Sequence, residues 1–368
     1  MRLRRLKHAP LVLGLAVAAA GLGPERTHAI EHHAAPIGTT AEIPMRAVWI
    51  HAGLFPADRA GAIARMRALL DDYRAAGIGS LFCFDSLPAQ HGKGWDLLAA
   101  LITEAHARGI GVHPVISPGY TVPLAGEIAQ HPEWLITGMK GEIYRNLNLA
   151  HPGARDYVVA RVREALKYDV DGIHLDYTRF PVGQTYSYDR GTIDAFRKEF
   201  GESPLEVAHD GGSIIWCEWI TWNARQVTAL VRDIRSVVKE KDARLMLSAA
   251  VFPNPAISPV EIGQDWAEWA RQGLIDALCP MLYTSDTRLF RQYVKDAVRM
   301  AKGGTARVLA GIACVSSHNR NTPAGVASEV AIAGEEGAAG VAFFSGYSLD
   351  KPFLDAIRMV RGLAGPRP

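Results

Sequence analysis

Asp171-Gly172-Ile173-His174-Leu175-Asp176-Tyr177-Thr178-Arg179-Phe180-Pro181 is the stretch on which the fold turns. Strand side chains alternate between two faces, so His174 and Asp176 share one face and Ile173 and Leu175 the other. An ionised carboxylate is expensive to bury without a partner or a task. If Ile173 and Leu175 face a layer of helices, His174 and Asp176 point into a sheet closed on itself. Arg179 is a candidate partner that would keep Asp176 ionised. An Asp–Arg pair that only braces the loop is the plain structural alternative.

Apolar runs of strand length alternate with helical segments on both sides of this stretch. The pattern predicts strands at 46–51, 79–84, 110–116, 171–176, 244–252, 276–283, 307–313 and 340–345. Helical periodicity fills the gaps, and Gly109, Gly172, Gly340 and Asp276 look like helix-ending residues that feed strands. Eight strand–helix units in series predict an α/β fold of the (β/α)8 type, a TIM barrel. It is read as a single domain with insertions at 117–148 after the third strand and 179–212 after the fourth. An open doubly wound sheet would want a Gly-rich phosphate loop after an early strand, and no GxGxxG or GxxxxGK[ST] occurs.

Before the first strand, Arg2, Arg4, Arg5, Lys7 and His8 precede an apolar run from Leu11 to Gly23, and Thr27-His28-Ala29 offers a small-residue cleavage site. This predicts a signal peptide at 1–29, an exposed linker at 30–44 and the barrel at 45–364. The expectation is export to a periplasmic or extracellular location, with no stable membrane insertion once the leader is removed. Arg2, Arg4, Arg5, Lys7 and Arg26 of the leader stand against Glu25 alone, so the formal +2 of the whole chain leaves the body near −2. A near-neutral body lacks the basic field of a nucleic-acid binder. Cys83, Cys217, Cys279 and Cys314 form no CxxC, and buried free thiols are expected.

The HxDYxRxP run at 174–181, with Asp169-Val170-Asp171-Gly172 before it, resembles the glycosyl-hydrolase-like family 10, also called DUF187. RAVWIHAG, EAHARGIGVHPVISP, LNLAHPGARDYVVARV, LSAAVFPNP, QDWAEWARQGLIDALCPMLY and GVAFFSGYSL agree in order, from Arg46 to Tyr347. Where many members carry two adjacent acids, this chain has Asp176-Tyr177. The resemblance implies an envelope or secreted barrel that hydrolyses glycosidic bonds in a polysaccharide or cell-wall glycan.

Catalytic groups of this fold project from the C-terminal ends of the strands. Glycoside hydrolysis needs two carboxyl groups, about 5–5.5 Å apart for retention and about 6.5–9.5 Å for inversion. Asp176 is the first, expected as nucleophile. Asp286 and Asp85 are the candidates for the second. Related glycosidase barrels place an acid after the sixth strand, which favours Asp286 as general acid. Trp49, His51, His113, His174, Tyr177, Arg179, Tyr283 and Tyr347 are the candidate substrate-binding residues. No cofactor and no metal are expected. The metal-dependent alternative, a hydrolase gathering His51, His113 and His174, lacks an HxH on the first strand. The remaining alternative is a barrel that binds carbohydrate without cleaving it.

Overall fold

The apolar runs become a closed ring of parallel strands in the computed structural model, which describes residues 45–87 and 92–360. The expected leader and linker, and residues 361–364, lie outside the described residues. In chain order the elements are β1 (Met45–His51), α1 (Arg59–Ala75), β2 (Ser80–Phe84), α2 (Leu97–His106) and β3 (Gly111–Ile116). A short α3 (Glu127–Gln130) and an antiparallel pair, β4 (Leu135–Thr137) and β5 (Ile143–Leu147), precede α4 (Pro152–Ala165) and β6 (Gly172–Leu175). Then come α5 (Arg190–Phe200), the long α6 (Ile214–Lys241), β7 (Met246–Val251), α7 (Ser258–Ile262) and α8 (Trp266–Arg271). β8 (Ala277–Pro280), α9 (Thr287–Ala301), β9 (Arg307–Ala313), α10 (Pro323–Glu335), β10 (Gly340–Phe344) and α11 (Lys351–Met359) complete the chain. The ring runs β1-β10-β9-β8-β7-β6-β3-β2 and closes on itself.

Strand alternation divides the apolar residues into two cores. Val48, Ile50, Leu81, Cys83, Ile173, Leu175, Leu247 and Ala249 face outward and pack beneath the helices. Ala47, Trp49, Phe82, Val115, Met246, Ala250, Ala277, Cys279, Leu309 and Ala342 fill the interior. The four alanines make room for Trp49 and Phe82, the large-and-small packing that a closed barrel requires. Gly172 serves the same purpose for His113, since a Cβ there would lie 2.6 Å from its Nδ1 and 2.1 Å from the Met246 carbonyl.

The helices start where polar caps dictate. Asp58, Asp96, Asp189, Ser213, Asp265, Thr322 and Asp350 each accept a backbone N–H of the first turn. Of the four residues read as helix-ending, Gly109 (φ 65°) follows a helix, whereas Gly172 and Gly340 are the first residues of their strands. Asp276 is a brace: it accepts the Leu247 N–H at 2.7 Å and pairs with Lys239 and Arg235. Trp216, Trp219 and Trp222 are buried along α6, and all four cysteines are free thiols, with only Cys217 exposed. Among the described residues no helix is long and apolar enough to cross a membrane.

Candidate active site

The C-terminal ends of the strands open into a cleft of about 1270 Å³. Trp49, His51, Phe84, Asp85, Tyr120, Asp176, Tyr177, Arg179, Phe252, Tyr283 and Phe344 are among its lining residues. Asp176 follows β6 directly and is only 8% exposed. Its backbone N–H joins the Ile116 carbonyl at 3.0 Å, and its Oδ1 accepts the Tyr177 N–H at 2.7 Å. Burial pushes this carboxyl up to about 6, against the opposing pull of the Tyr177 N–H, Arg179 and His51.

Arg179 favours the ionised form, as expected, but does not cancel the effect of burial. The guanidinium lies between two rings, 4.5 Å from the centroid of Tyr177 and 4.8 Å from that of Phe252. Its Nε has no hydrogen-bond partner and it makes no ion pair among the described residues. Burial lowers its own pKa. The chain turns too tightly for a direct pair: Tyr177 adopts φ 48°, and the Arg179 N–H returns to the Tyr177 carbonyl at 2.8 Å.

The two other candidate acids differ in setting. Asp85 ends β2 with φ 52°, lines the cleft, and places Oδ2 3.9 Å from His51 Nδ1. Asp286 does not line the cleft; it caps α9, accepting the N–H groups of Arg288 and Leu289 at 2.9 and 3.2 Å. Those bonds lower its pKa, the reverse of what a proton donor near neutrality needs. The structure brings Asp85, and not Asp286, into one cleft with Asp176.

Histidines that the sequence placed together are separated by depth. His51 is at the mouth, stacked on Phe84 with centroids 4.5 Å apart and on Tyr347 at 5.4 Å. His174 is fully buried, 3.8 Å from Phe82 in a parallel stack. Both of its nitrogens are engaged, Nε2 by the Trp49 indole N–H at 3.0 Å and Nδ1 by Ser248 Oγ at 2.8 Å. Burial, with His113 adding to it, holds His174 well below the usual imidazole range, and burial takes His113 down to about 4. Neither lines the cleft, so their expected contact with substrate is corrected to a structural role inside the barrel. No group of three or more His, Cys, Asp or Glu able to hold a metal occurs among the described residues.

Two aromatic walls flank the acids. On one side are Phe84 and His51; the 60% exposed Tyr347, expected as a substrate contact, stacks on His51 but does not itself line the cleft. On the other, the 53% exposed Tyr120 tilts onto Tyr177 at 4.6 Å, with Arg179 and Phe252 behind it. Tyr283 stacks on Phe344 at 5.4 Å, and its phenol is raised by burial and by Asp176. Phe252 went unread in the sequence because a strand-end aromatic looks like any core residue. Two further aromatics near the mouth are committed elsewhere: Trp134 is buried against His131 and Trp95 is tied to the Ala57 carbonyl.

The mouth of a parallel eight-stranded barrel thus holds two carboxyl groups among aromatic side chains. The chain belongs to the glycosyl hydrolase-like 10 family, whose model matches residues 85–322. It is 23% identical over 299 residues to glycosyl hydrolase YngK of Bacillus subtilis, covering 66% of this chain and 54% of that protein. It is 24% identical over 233 residues to glycosyl hydrolase DigH of Escherichia coli K12, covering 54% of this chain and 49% of that one. The chain thus spans about half the length of the curated relatives it matches. Among solved structures it resembles the PgaB (BpsB) glycoside hydrolase domain of Bordetella bronchiseptica, with TM-score 0.69, 15% identity, and 86% and 98% of the two chains covered. The catalytic domain of a Paenibacillus polymyxa β-amylase superposes with TM-score 0.61 at 11% identity, covering 89% and 100%. At these identities the structural likeness speaks for the fold.

Proposed function

We propose that this protein hydrolyses glycosidic bonds in an oligo- or polysaccharide laid across the barrel mouth, with Asp176 and Asp85 as its two carboxyl groups. The observation that carries this reading is the Asp176 carboxyl, 8% exposed, lining one cleft with Asp85 among aromatic side chains. Burial raises that carboxyl to about 6, so a fraction of it keeps its proton at neutral pH, and Asp176 is assigned proton donation to the leaving oxygen rather than nucleophilic attack. Asp85, solvated and beside His51, supplies the second carboxylate on the other side of the scissile bond. Tyr120, 53% exposed and lining the cleft, offers a ring face for a sugar ring.

The test is release of reducing ends from purified peptidoglycan and from a panel of plant polysaccharides, by wild type and by Asp176→Asn. Cleavage by wild type and its loss in the variant are expected. Glycan binding without cleavage of any substrate would make this a carbohydrate-binding barrel.

Export belongs to the same proposal, resting on the basic and apolar leader and the Thr27-His28-Ala29 site. The mature protein in the native envelope should begin near Ile30 by N-terminal sequencing; a cytosolic protein starting at Met1 would contradict it.

A further inference from the structure

The turn that carries Asp176 and Arg179 is gripped from two sides by residues outside the site. On the β3 side, the Gly119 N–H reaches the Tyr177 carbonyl at 2.8 Å. A Cβ at position 119 would lie 1.9 Å from the Arg179 carbonyl oxygen and 2.5 Å from that of Tyr177, so only glycine lets the two loops touch. Asn146 Nδ2 holds the Gly119 carbonyl at 3.0 Å and keeps that loop in place.

On the β7 side, Gln264 is fully buried. Its Nε2 faces the Thr178 and Ala250 carbonyls, both at 3.4 Å, while its Oε1 accepts the Phe252 N–H at 2.8 Å. One amide thus connects the turn, the end of β7 and the backbone of the ring that backs Arg179. The Phe180 N–H adds a bond to the Ile262 carbonyl at 2.9 Å.

We propose that Gly119 and Gln264 are positioning residues, a two-sided clamp that holds the Asp176–Arg179 turn in the geometry the reaction uses. The proposal rests on the glycosidase reading for its consequence but not for its test. The clamp keeps Tyr177 at positive φ, a conformation unfavourable for a side chain of this size, and so keeps its N–H on Asp176 and its ring on Arg179. Loosening it would let water reach the carboxyl.

The experiment is a carbon-13 NMR titration of the Asp176 carboxyl, assigned by its loss in Asp176→Asn, in wild type, Gly119→Ala, Gln264→Met and Gln264→Glu. Kinetics on whichever glycan is cleaved accompany it. The wild-type midpoint near 6 should fall toward the ordinary carboxylate range in Gly119→Ala and Gln264→Met. Their kcat should fall roughly 10- to 100-fold with KM little changed. Should Gly119→Ala fail to fold, Gln264→Met decides, because it removes both donor contacts without adding a charge, whereas an ionised Glu would add one beside the turn and push the midpoint up instead. A midpoint that stays put in folded variants while their melting temperatures drop overturns the clamp. A midpoint that moves in a protein that cleaves no glycan supports the clamp and removes the glycosidase reading instead.

Discussion

Trp49 and His174 share a hydrogen bond that dictates the charge of the imidazole: the indole N–H donates to His174 Nε2 across 3.0 Å. An indole can only donate, so Nε2 carries a lone pair and the proton sits on Nδ1, facing Ser248 Oγ at 2.8 Å. The histidine is therefore neutral and is a strut between β1, β6 and β7. Trp49→Phe leaves a buried acceptor unsatisfied and should cost about 1–3 kcal/mol in urea unfolding. Nitrogen-15 shifts of His174 should report the Nδ1–H tautomer down to pH 5; a charged ring at pH 6 would refute the assignment.

Asp85 and Asp286 are told apart by substitution. Asp286→Ala removes a helix cap and should lower the melting temperature by about 1–4 °C while turnover persists. Asp85→Asn should do the reverse, with turnover falling on the order of a thousandfold and melting nearly unchanged. Large loss of turnover in Asp286→Ala alone would restore Asp286 as the second acid.

The pH dependence follows from the sign of the Asp176 shift. A general acid must be protonated, so kcat/KM should decline as pH rises through about 6. Arg179 favours the charged carboxylate, so Arg179→Leu should move that decline to higher pH. A decline that moves to lower pH in the variant would show that Arg179 does not act on Asp176 through its charge.

Glu329 of α10 is 1% exposed and burial pushes it up to about 8, with Asn321 opposing only in part. Between its ordinary value of 4.5 and about 8 the unfolded chain releases a proton that the folded chain keeps. Stability therefore falls with rising pH across that window, by at most about 1.4 kcal/mol per pH unit, and levels off above it. Glu329→Gln should flatten the slope of unfolding free energy between pH 5 and 8; an unchanged slope would show that Glu329 ionises normally.

The barrel was legible because each strand is an apolar run of its own and polar residues collect at one end of these runs. The acids were harder, for reasons visible at particular residues. A capping aspartate and a catalytic one both follow a strand and precede a helix, and Asp286 before Thr287-Arg288-Leu289 carries the capping signature. Asp176 and Arg179, three apart, look like an ion pair until the left-handed turn at Tyr177 sends the guanidinium between two rings. Depth inside the barrel separates His51 from His174, and a list of strand ends contains no depth. Gln264 had no signal at all, since a glutamine before a helix reads as solvated.

The central claim is that Asp176 is the proton-handling carboxyl of a glycosidase, and the most direct measurement is the turnover of Asp176→Asn on a glycan the wild type cleaves, paired with its melting temperature. Turnover should fall on the order of a thousandfold or more, about 4 kcal/mol of barrier. The melting temperature at pH 7 should stay level or rise, because the amide removes a charge that burial disfavours. An Asn variant that keeps its turnover, or one that melts far below the wild type, would contradict the account.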